Sequence, residues 1–273
     1  MSEQRRPRNP DRCAPIEKAS PTRWSASGPG DRIASARDVA IYFREDCRTL
    51  RDSLQLEMVV AQYYLRIRDV RTTGGVPVGD VVGGSVVAEL EREADSLSHA
   101  ILRGLAHLGA GEAAKRSAEA VTRLTEQAIG LPQQFADVCK ASALGAWRTR
   151  ASGLDSEYAL FADFEHPHGP RHAIALFVEP RGRGIVKHIG LLGAMSELDP
   201  GEPFHPKALE PVAISHAAVL IRDLLEHSYG PLAAETDDFR VLIASARART
   251  LRVSRLSEPP AATPSCRPTR RRW

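Results

Sequence analysis

The sequence predicts an α+β fold. It should hold an N-terminal antiparallel helical bundle or set of helix pairs, a three-stranded antiparallel sheet and two C-terminal helices, flanked by disordered basic ends. Three observations carry this reading. From about Asp38 to Leu144, apolar residues recur every three or four positions, which is the period of an amphipathic helix. After about Arg150 the period falls to two through Tyr158, Leu160, Ala162 and Phe164, so alternate side chains share one face of a strand. From Val212 the helical period returns.

The first helix should run from about Asp38 to the RTTGGVPVGD stretch, where two glycines and a proline break it. Ile41, Leu50, Leu54, Met58, Ala61 and Leu65 form its apolar stripe, with one irregular step up to Leu50. A second helix is expected over Val81–Leu108 and a third over Glu112–Ile129, where Gly130 sits in a C-terminal cap position. Pro132 suits the first turn of a fourth helix over Gln133–Leu144. Short connections make these helices antiparallel neighbours. The Ser96–Gly130 pair has the length of a helical repeat unit, without a second matching copy.

EYALFADFEH, the HPHGPR turn and the run His172–Val178 form a hairpin pattern, and GIVKHIGLL supplies a third strand. One oily face needs a cover, and flanking helices can provide it. Residues 196–211 carry four prolines and read as a surface loop. Val212–Tyr229 is the next helix. Thr236 caps the last one, which runs to about Val253.

Residues 1–36 and 257–273 are rich in Pro, Ser, Gly and Arg and poor in large apolar side chains, so they are expected to be disordered basic tails. Between them, 38–256 is expected to form one domain, helical over 38–150 and carrying the sheet and two helices over 155–256. The net charge is +3. Residues 1–37 hold eight basic and four acidic side chains, and 258–273 hold four basic and one acidic. The folded part is therefore mildly acidic. That argues against a basic nucleic-acid-binding surface and leaves only weak association through the tails. No apolar run reaches the roughly 18 residues of a membrane span, and the N-terminus lacks the pattern of a secretory signal. A cytoplasmic protein, with no membrane contact and an unidentified protein partner, is the expectation. Four cysteines without CxxC spacing fit a reduced chain, with Cys47 and Cys139 as small core residues on helices.

Seven of the nine histidines lie between 166 and 227, and this is the unusual chemical feature. His166, His168 and His172, with Asp163 or Glu165, form a candidate metal set, because imidazoles and carboxylates around one turn can bind a divalent ion. The competing expectation is a polar turn with a satisfied shoulder histidine. No HExxH or paired-Cys spacing supports a metal, and no cofactor is expected. Lys187 and His172 are candidate catalytic residues. Lys187 shares strand parity with Ile185 and Ile189, so a buried face would require a partner such as Glu179 or Asp163 and would lower its pKa. Arg247, Arg249, Arg252 and Arg255 are candidate anion-binding residues at the end of the last helix, where cations also complement the helix dipole. RGRG at 181–184 and GGSVV at 83–87 lack the contexts of a phosphate loop and a nucleophile elbow.

The Phe164–Gly169 turn, the strand His172–Val178 and the run Gly184–Lys187 together resemble an uncharacterised protein family of high-GC actinobacteria, and DDFRVLIASARART fits the same pattern. The likeness spans about 60–255. It implies an architecture and no reaction. Relatives often carry an acidic residue after the lysine where this chain has His188, so an acid–base role does not transfer directly to that position.

The leading functional expectation is a non-enzymatic protein-interaction or regulatory module. A metal-dependent or acid–base enzyme centred on the 166–172 hairpin is the alternative, and nucleic-acid association through the tails is a third.

Overall fold

In the computed structural model, residues 35–69, 79–109, 111–149, 157–180, 184–198, 204–228 and 237–257 are described. Both expected tails lie outside these residues, apart from their innermost positions. The chain is α+β, with seven helices and one antiparallel sheet among the described residues. The helices are α1 (Ala36–Arg48), α2 (Ser53–Arg68), α3 (Gly79–Glu93), α4 (Ser96–Leu108), α5 (Gly111–Glu126), α6 (Ile214–Ser228) and α7 (Asp237–Ser257). The strands are β1 (Ser142–Arg148), β2 (Tyr158–Glu165), β3 (Arg171–Glu179), β4 (Ile185–Gly193) and the two-residue β5 (Glu210–Pro211). None of the described helices is long and apolar enough to cross a membrane.

Two expected helices are each split in two. The single helix from Asp38 becomes α1 and α2, because Asp52 leaves helical geometry and its carboxylate accepts from Gln55 N–H. Capping of this kind satisfies a backbone donor that a helix start leaves bare. Leu50, the irregular step in the apolar stripe, is buried at the break. Likewise Val81–Leu108 becomes α3 and α4. Ala94 turns at φ 47°, and the Asp95 carboxylate accepts from Ser98 N–H at 2.8 Å. Arg44 of α1 reaches across to Glu93 at 2.8 Å and to Asp95. α1 starts with a capping box between Ser35 and Asp38.

The expected fourth helix over Gln133–Leu144 is absent from the fold. Only a short 3-10 turn forms at Gln133–Phe135. Phe135 and Val138 are buried in the helical core, but Cys139 takes φ 66°, which an L residue cannot propagate as a right-handed helix. The chain leaves extended and becomes β1. The sheet therefore has five strands rather than three, in the order β4-β3-β2-β1-β5. The hairpin reading holds: β2 and β3 pair over their full length, Phe164 opposite His172 and Leu160 opposite Leu176.

Two cores meet in this fold. The first fills the bundle of α1–α5, with Phe43 stacked on Tyr63 at 4.0 Å. The bundle is tight enough that a Cβ at Gly104 of α4 would meet Val60 of α2 at 2.9 Å. The second lies on one sheet face, where Leu160, Phe164, Ile174 and Leu176 meet Ile221, Leu224 and Leu225 of α6 and Ile243 and Ala246 of α7. The other sheet face is covered as well. Phe161, Ala173 and Ala175 pack under Met195 and Leu209 from the β4–β5 connection. α7 faces both ways. Val241 and Ala248 join the bundle core, and Ile243 and Ala246 join the sheet core.

Asp95→Ala is expected to lower the free energy of unfolding by about 1–2 kcal/mol in urea titrations, because it removes an N-cap. Asp95→Asn keeps the capping oxygen and should lose clearly less. Equal losses in the two variants would contradict the capping account.

Candidate functional site

Glu57 lies on α2 among Leu54, Leu56, Val60 and Ala61, and is 2% exposed. A carboxylate in such surroundings must be paired and hydrogen-bonded, and three donors meet it. His166 Nε2–H donates to Oε1 at 3.0 Å. The Cys139 backbone N–H donates to the same oxygen at 2.8 Å. The Arg249 guanidinium donates to Oε2 at 2.9 Å. Arg249 comes from the middle of α7, also donates to Ser245 Oγ, and lies over the Phe164 ring at 5.5 Å from its centroid. Burial alone would raise the Glu57 pKa. The charge of Arg249, with His166 and the Cys139 N–H, overrides burial and holds it down at about 2.

His172 completes the cluster. Its ring stacks between Phe164 at 5.9 Å and His166 at 5.5 Å. Burial first, then the charges of Arg249 and His166, push its pKa down to about 3, so it is neutral near pH 7. Its Nδ1 lies 3.4 Å from the Pro170 carbonyl. Among the described residues, His172 Nε2 and His166 Nδ1 have no hydrogen-bond partner.

The three hairpin histidines therefore do different things. His166 and His172 converge in the interior. His168 is 86% exposed, and both its backbone N–H and its Nδ1 meet Asp137 Oδ2, at 2.7 and 2.9 Å. Asp163 points to the opposite sheet face and accepts from Met195 N–H; burial raises its pKa. The candidate metal set is thus divided between two faces and the outside. No group of three or more His, Cys, Asp or Glu among the described residues is placed to hold a metal ion. What the hairpin does is grip: two of its histidines clasp carboxylates from the helical half.

Lys187 is not on a buried face. β4 carries a bulge opposite Phe177 and Val178, so Val186 and Ile189 both face the core although they are three apart. Lys187 is 44% exposed and lies between Glu157 at 2.9 Å and Glu179 at 3.0 Å, which raise its pKa rather than lower it. Of the four arginines, Arg247 and Arg249 have described side chains, and these do different things. Arg249 is internal, and Arg247 donates to the Leu225 carbonyl at 3.0 Å, tying α7 to α6. Arg252 and Arg255 fall outside the described side chains. Cys47 is buried in α1 as expected. Cys139 is on a turn, half-buried, with its thiol 3.6 Å from the Arg103 carbonyl.

Chemically, Glu57 orients His166 as a carboxylate orients a general base. The two side chains are 3% and 0% exposed, so in this conformation no substrate atom reaches them. Comparison with protein-family models, curated proteins and solved structures finds no match. Glu57 and the interior role of Arg249 escaped the sequence reading. Their signal was a charged residue at a stripe position, Glu57 three and four before Val60 and Ala61, and Arg249 three and four after Ala246 and Ser245.

Both shifted groups make acid destabilising. His172 binds a proton in the unfolded chain below about 6.5 but in the folded chain only near 3, so stability falls as pH drops across that window. Glu57 is ionised when folded down to about 2 and ordinarily down to 4.5, so its contribution is present above 4.5 and lost below. We expect His172→Phe to flatten the dependence of unfolding free energy between pH 6.5 and 4.5. An unchanged slope in that window would show that His172 is not held neutral.

Proposed function

We propose that this chain is a non-enzymatic protein-interaction or regulatory module. The observation that carries the reading is a division of labour. The residues best suited to chemistry, Glu57, His166 and Arg249, are buried and engaged in joining α2, α7 and the hairpin. A groove of about 120 Å³ lies open between α1 and α3, lined by residues that include Ala40, Ile41 and Arg44. Ile41 and its neighbour Tyr42 are large apolar side chains left 43% and 38% exposed, and their adjacency beside a charge-lined groove supports an interaction surface there.

A second reading has one specific support. His166 Nδ1 and His172 Nε2 are buried acceptor or donor atoms without a partner among the described residues. Such orphans cost free energy and concentrate at functional sites. If the hairpin lifts, this pair would present two imidazoles beside a carboxylate, an acid–base site. Association of nucleic acid with the basic ends concerns residues outside the described ones.

The test is site-specific photo-crosslinking in the source cells, with benzoylphenylalanine at Tyr42 and, as control, at the exposed Glu226 of α6. The module reading expects a discrete adduct with another protein from position 42 and none from 226. Absence of any adduct from 42, in a folded chain, would contradict it.

A further inference from the structure

We propose that the α1–α3 groove takes an acidic, amphipathic helix from a partner protein, held at its two ends by Arg37 and Arg48 and seated on Ala40 and Ile41. This rests on the module reading above and names the partner's chemistry.

Arg37, Ile41, Arg44 and Arg48 fall at i, i+4, i+7 and i+11 of α1, which places them on one stripe of a helix. All four line the groove. The middle arginine is already engaged, bridging Glu93 at 2.8 Å and Asp95. Glu89, on the opposite wall, is engaged by Arg92. Glu45 has interactions of its own. Arg37 and Arg48 are exposed, and neither has a carboxylate partner among the described residues. The groove's own acids are therefore spent, and two unmatched cations remain at its ends.

Their separation suits a helix. Eleven residues of α1 rise about 16 Å, so a helix lying along the groove meets both arginines with acidic residues about eleven apart. Its apolar residues between them would cover Ile41, the helix-in-groove mode of recognition. A continuous polyanion fits less well. Between its two end arginines the groove's charges are already paired and offer a phosphate backbone or an anionic lipid surface nothing to bind along its length, whereas discrete acids at the two ends meet the exposed arginines. The chemistry thus favours a protein helix over RNA or a membrane.

The experiment is a charge swap on the full chain. The probe is a capped, fluorescent 18-residue helical peptide with two Glu eleven apart and Leu four and seven after the first; its twin carries Lys for Glu. Binding is read by anisotropy at low salt, where surface ion pairs are least screened. The acidic peptide should bind about tenfold tighter than its twin, the scale expected when two exposed ion pairs are exchanged for two like-charge contacts. Arg37→Glu/Arg48→Glu should reverse the preference, and Arg37→Gln/Arg48→Gln should abolish it. Both pairs are exposed, and circular dichroism verifies that each variant folds. Equal binding of the two peptides, or a preference unchanged by the swap, overturns the proposal. So does binding of RNA or anionic vesicles that is lost in the same variants. A protein adduct from Tyr42 combined with no charge preference would overturn this inference and leave the module reading standing.

Discussion

The fold turns on one ion pair, Arg249 with Glu57. α7 is a wall shared by two apolar cores, so a cation in its middle has no route to water. An unpaired guanidinium there would cost several kcal/mol, and the structure pairs it with a carboxylate from α2. That carboxylate has a second oxygen to fill, and it is filled from the other half of the chain, by His166 at the hairpin tip and by the Cys139 N–H on the way into β1. A single buried charge in α7 thereby fixes where α2, the entry to the sheet and the hairpin must stand.

The surroundings follow from this centre. Phe164 and His172, paired across β2 and β3, place aromatic faces beside the cluster, where a ring can meet a cation. The left-handed turn at Cys139 aims its N–H at Glu57 and ends any continuation of the helical bundle. Asp137, two residues before it, holds His168 outside while Glu57 holds His166 inside. A network of this kind confers position more than stability, since an apolar replacement of equal volume fits many interiors as well.

Much of this was legible in residues taken singly. The β2–β3 hairpin followed from period two and a Gly/Pro turn, and the side-chain parity was right to the residue at Leu160, Phe164, Ile174 and Leu176. The α+β class followed with it. The helix breaks are present in the sequence as Asp52 and Asp95, two capping residues masked by apolar spacing that runs across them. β1 was hidden because Phe135, Val138 and Ala141 imitate a helical stripe while meeting the core from a turn. The second covered sheet face was written in Ala159, Phe161, Ala173 and Ala175, an apolar set out of phase with the first. The bulge in β4 was not legible, since one inserted residue reverses every parity beyond it. Nor was the centre itself. Glu57 and Arg249 are 192 positions apart, and two charges on two apolar stripes do not say that they meet.

The interior holds together because these two charges need each other. A double-mutant cycle of Glu57→Gln and Arg249→Met, read as unfolding free energy in urea at pH 7, tests it directly. Each single change should cost about 3–5 kcal/mol, because it leaves the other charge buried alone. The double change should cost less than the sum by at least about 2 kcal/mol, within the range seen for groups in direct contact. Additive losses would show that the pair does not organise the interior, and would contradict the account.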